Sequence, residues 1–170
     1  NGLQQEQARM LLPLAWLLRV EDTAQHRDWL RCVVADLLRR QGPEGGIPEE
    51  LGPPALGKFG LPPSNSAHGR TEAPLGGHTD DPVCDLLYTG EWALLGLLEA
   101  AHACAQGPAP EATRPCPVAV PDPAVATDHS LGEVCGRGLA ALCGFLCRVQ
   151  MRSAGHPELD GAYCRAFALD

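Results

Sequence analysis

The chain has 170 residues, 45% of them hydrophobic and 20% charged, enough for one globular core and short of what two domains need. Its formal charge of −8 leaves no basic surplus with which to displace counterions, which argues against nucleic acid as a partner. The longest apolar stretch, around Met10–Val20, is interrupted by Pro13 and Arg19, so no membrane span is expected and a soluble chain is, with the cytoplasm favoured.

Taken in chain order, the hydrophobic spacing predicts four helical segments, each followed by a loop rich in Gly or Pro. The first covers Gln4–Arg19, with Leu11, Leu12, Leu14, Ala15 and Leu18 on its apolar surface and Pro13 as a kink or its true beginning. The second is capped by Asp22 or Thr23. Its Trp29, Leu30, Val33, Val34, Leu37 and Leu38 recur at three and four residues, with Arg39 and Arg40 in the last turn and Gly42-Pro43 ending it. The short join predicts an antiparallel hairpin. Residues 42–80 are dominated by Gly, Pro, Ser and Asn. Single apolar anchors (Ile47, Leu51, Leu56, Phe59, Leu61) suggest an ordered loop laid over one end of the helical body.

The third helix is predicted over Asp81–Ala105, with Asp81 as N-cap and Pro82 at the first helical position. Its Leu86, Leu87, Trp92, Leu94, Leu95, Leu97 and Leu98 leave little polar face, so it is expected to be covered on most sides. Residues 106–127 form a Pro-rich connector. The fourth helix follows over Asp128–Arg152, where Gly132, Gly136, Gly138 and Gly144 lower helix propensity and let neighbours approach. The tail SAGHPELDGAYCRAFALD reads as a loop followed by a strand or bent turn. The class is therefore all-α, a single helical domain over 1–170. If the helices alternate up and down, the loops before helices one and three and after two and four gather at one end. Asn1, with no initiator Met, reads as a cut inside something longer.

Eight cysteines, at 32, 84, 104, 116, 135, 143, 147 and 164, form no CxxC pair, so neither a metal nor a cofactor is expected. Small buried apolar side chains are the simplest reading, Cys143 and Cys147 included, and Cys104 with Cys116 is the best candidate disulfide. A redox or metal module would need these thiols to converge. GPEGG at 42–46 lacks the residues of a phosphate loop, and Ser64 and Ser66 have no nucleophile-elbow context.

The acids before the third helix invite a second question. Asp81 and Asp85 are explained by capping and by the helix dipole. Asp80 and Glu72 are not, and glycosidic hydrolysis needs two carboxyl groups, one protonated and one ionised, on opposite sides of a sugar. Tyr88, Trp92 and Tyr163 offer rings on which a sugar could stack. His68 and His78 stand in the Gly-rich loop, where a solvated histidine is the default.

The runs EDTAQHRDWLRCVVADLLRRQGPEGGIPEELG, PPSNSAHGRTEAPLGGHTDDPVCDLLYTGEWALLGLLEAAHA and FLCRVQMRSAGHPELDGAYCRAF resemble bacterial proteins of the six-hairpin glycosidase superfamily, whose fold is an (α/α)6 toroid. The most specific element is DPVCDLLYT following SNSAHGRTEAPL. The resemblance implies a saccharide partner on the inner rim of the toroid; taken together with the acidic junction, it makes Asp80 and Glu72 the expected catalytic acids. It further implies Asn65, Asp81, Tyr88, Asp160, Tyr163 and Arg165 as sugar-binding groups, to which His78 and Trp92 are added as candidates by residue type. Four helices are about two hairpins of six, so the missing remainder of the toroid, or self-association, is a further expected partner. The competing expectation is a non-catalytic helical scaffold or binding module, in which the acids are caps and solvated charges.

Overall fold

The computed structural model describes residues 3–49, 83–105, 130–164 and 166–168. Among these the structure is predominantly helical, and the fold class is all-α. Helix α1 spans Leu3–Val20. Ala8, Leu11, Leu14, Ala15 and Leu18 recur on one side of it and are buried. Pro13 neither begins nor ends the helix. It stands on the exposed face, where the carbonyl left without an amide donor can be met by water. Helix α2, Ala24–Leu38, is capped by Thr23, whose hydroxyl accepts from the His26 amide at 3.1 Å. Leu30, Val34, Ala35 and Leu37 turn inward. Trp29, expected among them, is 46% exposed and stands beside His26 on the outer side. Arg39 is the C-cap and Arg40 lies beyond it, so the two cations follow the last turn instead of filling it.

Contacts fix the direction of each helix. Gln7, near the start of α1, donates to Asp36, near the end of α2, so the pair is an antiparallel hairpin. Helix α3, Glu91–Ala105, runs parallel to α1: Leu11 meets Gly96, and further along Arg19 pairs with Glu99 at 2.8 Å. Helix α4, Leu131–Val149, returns antiparallel, with Gly132 at its start against Cys104 at the end of α3. The helices therefore alternate up and down, with α3 between α1 and α4. Two glycines make the close approaches possible. A Cβ on Gly96 would lie 2.4 Å from Leu11 Cβ, and one on Gly138 would lie 2.6 Å from Leu38 Cδ2 where α2 meets α4. Gly136 faces open space, so not every glycine of α4 serves packing.

The third helix starts later than the spacing predicts. Val83–Asp85 is a short strand, β1, and Leu86–Gly90 is a single wide π-type turn that leads into α3 at Glu91. Asp85, not Asp81, caps this segment. Its Oδ1 accepts from the amides of Leu87 and Tyr88, both at 2.9 Å, which gives the first free N–H groups a partner. Residues 83–85 are held extended by an antiparallel partner, β2 (Ala166–Ala168), in the register Val83↔Ala168, Cys84↔Phe167, Asp85↔Ala166. On the other side, Pro48 makes an isolated bridge to Cys84. The segment after α2, the segment before α3 and the C-terminal segment thus meet at one end of the bundle, next to the start of α1.

Helix α4 is opened by a reciprocal cap. The Ser130 hydroxyl accepts from the Glu133 amide at 3.3 Å, while the Glu133 carboxylate accepts from the Ser130 amide at 2.9 Å. Its Cys135, Gly138, Leu142 and Phe145 face the core. Cys143 and Cys147 do not: both are exposed, because Leu142 and Phe145 take the inward positions of that turn. Cys84 and Cys135 are the buried thiols. Cys104 is free and Cys32 is disulfide-bonded, so the expected pairing of Cys104 with Cys116 does not form.

Helix α3 buries Ala93, Gly96, Leu97, Ala100 and Ala103 against its two neighbours. Leu95 is 42% and Leu98 37% exposed. The expectation of cover on most sides is thus corrected to cover on two, with a third side open among the described residues. No helix described is long and apolar enough to cross a membrane.

Candidate functional site

The end where the three segments meet carries an unusual concentration of buried polar groups. Thr89 is fully buried in the wide turn before α3, Asp85 is 5% exposed, and Gln4 in the first turn of α1 is 1% exposed. Into this region the segment after α2 brings Glu49, half-buried, whose Oε1 accepts from the Thr89 hydroxyl. Oε2 of Glu49 is buried without a hydrogen-bond partner. Burial pushes the Glu49 carboxyl up to about 7; the nearby negative charge of Asp85 adds to the rise, and the Thr89 hydrogen bond opposes it. Two acids therefore sit in contrasting settings. Asp85 accepts backbone hydrogen bonds suited to an anion, whereas Glu49 holds its proton into the neutral range. A carboxyl group whose proton affinity is raised by its surroundings is the kind of group that serves as a general acid.

Beside this cluster lies an open cavity of about 450 Å³ between the start of α3, the C-terminal half of α4 and the C-terminal segment. Leu86, Leu87, Leu94 and Leu146 make its walls, with Glu91 and Tyr163 as the polar groups among them. The buried thiols offer no nucleophile: burial pushes both Cys84 and Cys135 up to about 12. Among the described residues no group of three His, Cys, Asp or Glu is arranged to hold a metal ion.

Four of the residues singled out in the sequence can be placed. Tyr163 lines the cavity. Tyr88 is 39% exposed on the wide turn, and Trp92 is partly buried against the core. Asp160 is exposed, and its Oδ1 accepts from the Ser153 amide at 3.2 Å, holding a turn instead of facing the cavity. Asn65, Glu72, His78, Asp80, Asp81 and Arg165 lie outside the described residues, as do most of the 42–80 loop and the 106–127 connector. Glu49 was not legible as a site residue. Its one sequence signal is a carboxylate two positions after the apolar anchor Ile47, and nothing local shows that α3 will come to lie against it.

No protein-family model, curated protein or solved structure matches this chain.

Proposed function

We propose that this chain is a carbohydrate-active helical module, similar to part of an (α/α)6 toroid, that cleaves glycosidic bonds by carboxylate acid–base chemistry. The observation that carries the reading is Glu49, a carboxyl group pushed up to about 7 and so about half protonated at neutral pH, near the capping side chain of Asp85. Glycoside cleavage needs one carboxylic acid to protonate the leaving oxygen and one carboxylate to act from the other face. Glu49 has the protonation for the first role. Asp80 or Glu72, in the loop that precedes β1 in sequence, would supply the second. Tyr88, Trp92 and Tyr163 would offer ring faces to the sugar, and Asn65, His78, Asp81, Asp160 and Arg165 its polar contacts. The test is reducing-sugar release from a panel of aryl glycosides and oligosaccharides. Hydrolysis by the wild type, lost in Glu49→Gln and in Asp80→Asn or Glu72→Gln, is the expected result; turnover unchanged in all three variants overturns it.

A second reading, the non-catalytic scaffold, is favoured by one specific observation. Among the described residues, Asp85 accepts from the amides of Leu87 and Tyr88, and the Glu49 carboxyl meets the Thr89 hydroxyl and the Gln5 backbone, all groups of the protein itself. On this reading the acids hold the start of α3 in place, and the variants lose stability or gain it with no hydrolysis to lose.

A further inference from the structure

The cavity between α3, α4 and the C-terminal segment has mostly hydrocarbon walls, and of its lining only Tyr163 is called on by the glycoside reading. Four leucines line it, Leu86 and Leu87 from the wide turn, Leu94 from α3 and Leu146 from α4, and such an apolar lining gains by being covered with hydrocarbon. Its volume of about 450 Å³ falls in the range of about 300–1,000 Å³ that small-ligand sites occupy. Against this apolar lining stand two groups of matching character. Glu91, on the first turn of α3, is exposed and makes no ion pair or side-chain hydrogen bond among the described residues. Tyr163, 46% exposed, offers an aromatic ring. A carboxylate and an aromatic ring are the two side-chain types that attract an ammonium group, and the chain's charge of −8 adds a field of the same sign preference.

We propose that this groove binds a small amphiphile, a hydrocarbon body lying along Leu86, Leu87, Leu94 and Leu146 with a cationic ammonium head against Glu91 and Tyr163. The inference does not rest on glycoside cleavage, since neither Glu49 nor Asp85 lines the groove. Cys164, a free and exposed thiol on the groove wall, gives a local reporter, and the free, exposed Cys143 and Cys147, outside it, give internal references.

The experiment follows alkylation of each thiol by iodoacetamide, read by peptide mass spectrometry, in the presence of decyltrimethylammonium below its micelle concentration. Alkylation of Cys164 is expected to slow while Cys143 and Cys147 react unchanged. Glu91→Gln is expected to raise the concentration giving half-protection on the order of fivefold. Decanol should protect equally in both forms. Should Glu91→Gln fold poorly, added sodium chloride replaces it, weakening protection by the cation and not by decanol. Leu146→Trp, which fills the groove from α4, abolishes protection by both probes. Equal slowing of all three thiols, protection by decyl sulfate as strong as by the cation, or a half-protection concentration indifferent to both Glu91→Gln and salt overturns the proposal.

Discussion

Replacing Glu49 by Gln removes a titration without removing the hydrogen-bond acceptor that Thr89 uses. In the folded chain the carboxyl is held at about 7 against an ordinary value of 4.5. Between those two values the folded state binds a proton that the unfolded state has released, so stability falls as pH rises from about 4.5 and levels off above 7. At about 1.4 kcal/mol per pKa unit, the full displacement corresponds to roughly 3 kcal/mol lost by pH 8. Partial exposure of the side chain makes this an upper bound, and about 1–3 kcal/mol is the expected range. Glu49→Gln should therefore be more stable than the wild type at pH 8 by that amount, with the difference closing as pH falls toward 4.5. Urea denaturation of both proteins at half-unit pH steps measures this difference directly, and other titrating groups cancel between them. A stability difference that does not change between pH 5 and 8 refutes the argument, because it would mean that Glu49 is no harder to ionise in the folded chain than in the unfolded one.

Two glycine substitutions should move in opposite directions. Gly96→Ala would set a methyl group 2.4 Å from Leu11 Cβ and push α1 from α3, costing about 1–3 kcal/mol despite alanine's better helix propensity. Gly136→Ala enters open space and should gain about 0.5–1 kcal/mol; thermal denaturation distinguishes the two. Asp22→Asn should cost about 1–3 kcal/mol at pH 7, because Arg27, 5% exposed, would keep its charge without the carboxylate that now meets its Nε and Nη2 at 2.6 Å each. The Arg27 hydrogen bond holds the Asp22 carboxyl below its usual value. The wild type therefore loses this stabilisation as pH falls through that lowered value, and the two proteins should converge in acid. Removing residues 165–170 takes away β2 and should speed hydrogen exchange at the Cys84 amide, which faces β2 because Pro48 on the other side has no N–H to pair with it, while leaving α1 and α2 unchanged. Unaltered exchange at that amide would show that the Pro48 bridge alone holds β1.

The helices were legible because their burial repeats at three and four residues, a property each segment carries alone. Leu11, Leu14 and Leu18, then Leu30, Val34 and Leu37, lie where that spacing puts them. The start of α3 was not legible, because what keeps residues 83–85 extended is a partner more than eighty residues later in the chain. Local reading gave Asp81 the cap, which sits two residues before a strand that only tertiary pairing creates. Trp29 and Leu95 failed for a related reason: spacing marks an apolar face, and the breadth of that face exceeds what the described neighbours cover. The Ser130–Glu133 cap had a sequence signal, S-L-G-E, beginning two residues after the predicted helix start at Asp128.

Glu49 shows how a site can arise from the path of the chain. Parallel α1 and α3 begin at the same end, and the segment leaving α2 must cross that end after Ile47 enters the core. The crossing is pinned by the Pro48 bridge to Cys84, which leaves the next side chain directed at Thr89 and near Asp85. An acid carried there loses water on two sides and meets a like charge that is already committed to capping a helix. Its proton affinity rises for those reasons alone, before any ligand is present. A substrate or partner that excluded more water from the crossing would raise it further, and one that brought a cation would lower it, so the protonation of Glu49 reports on whatever occupies that end of the bundle.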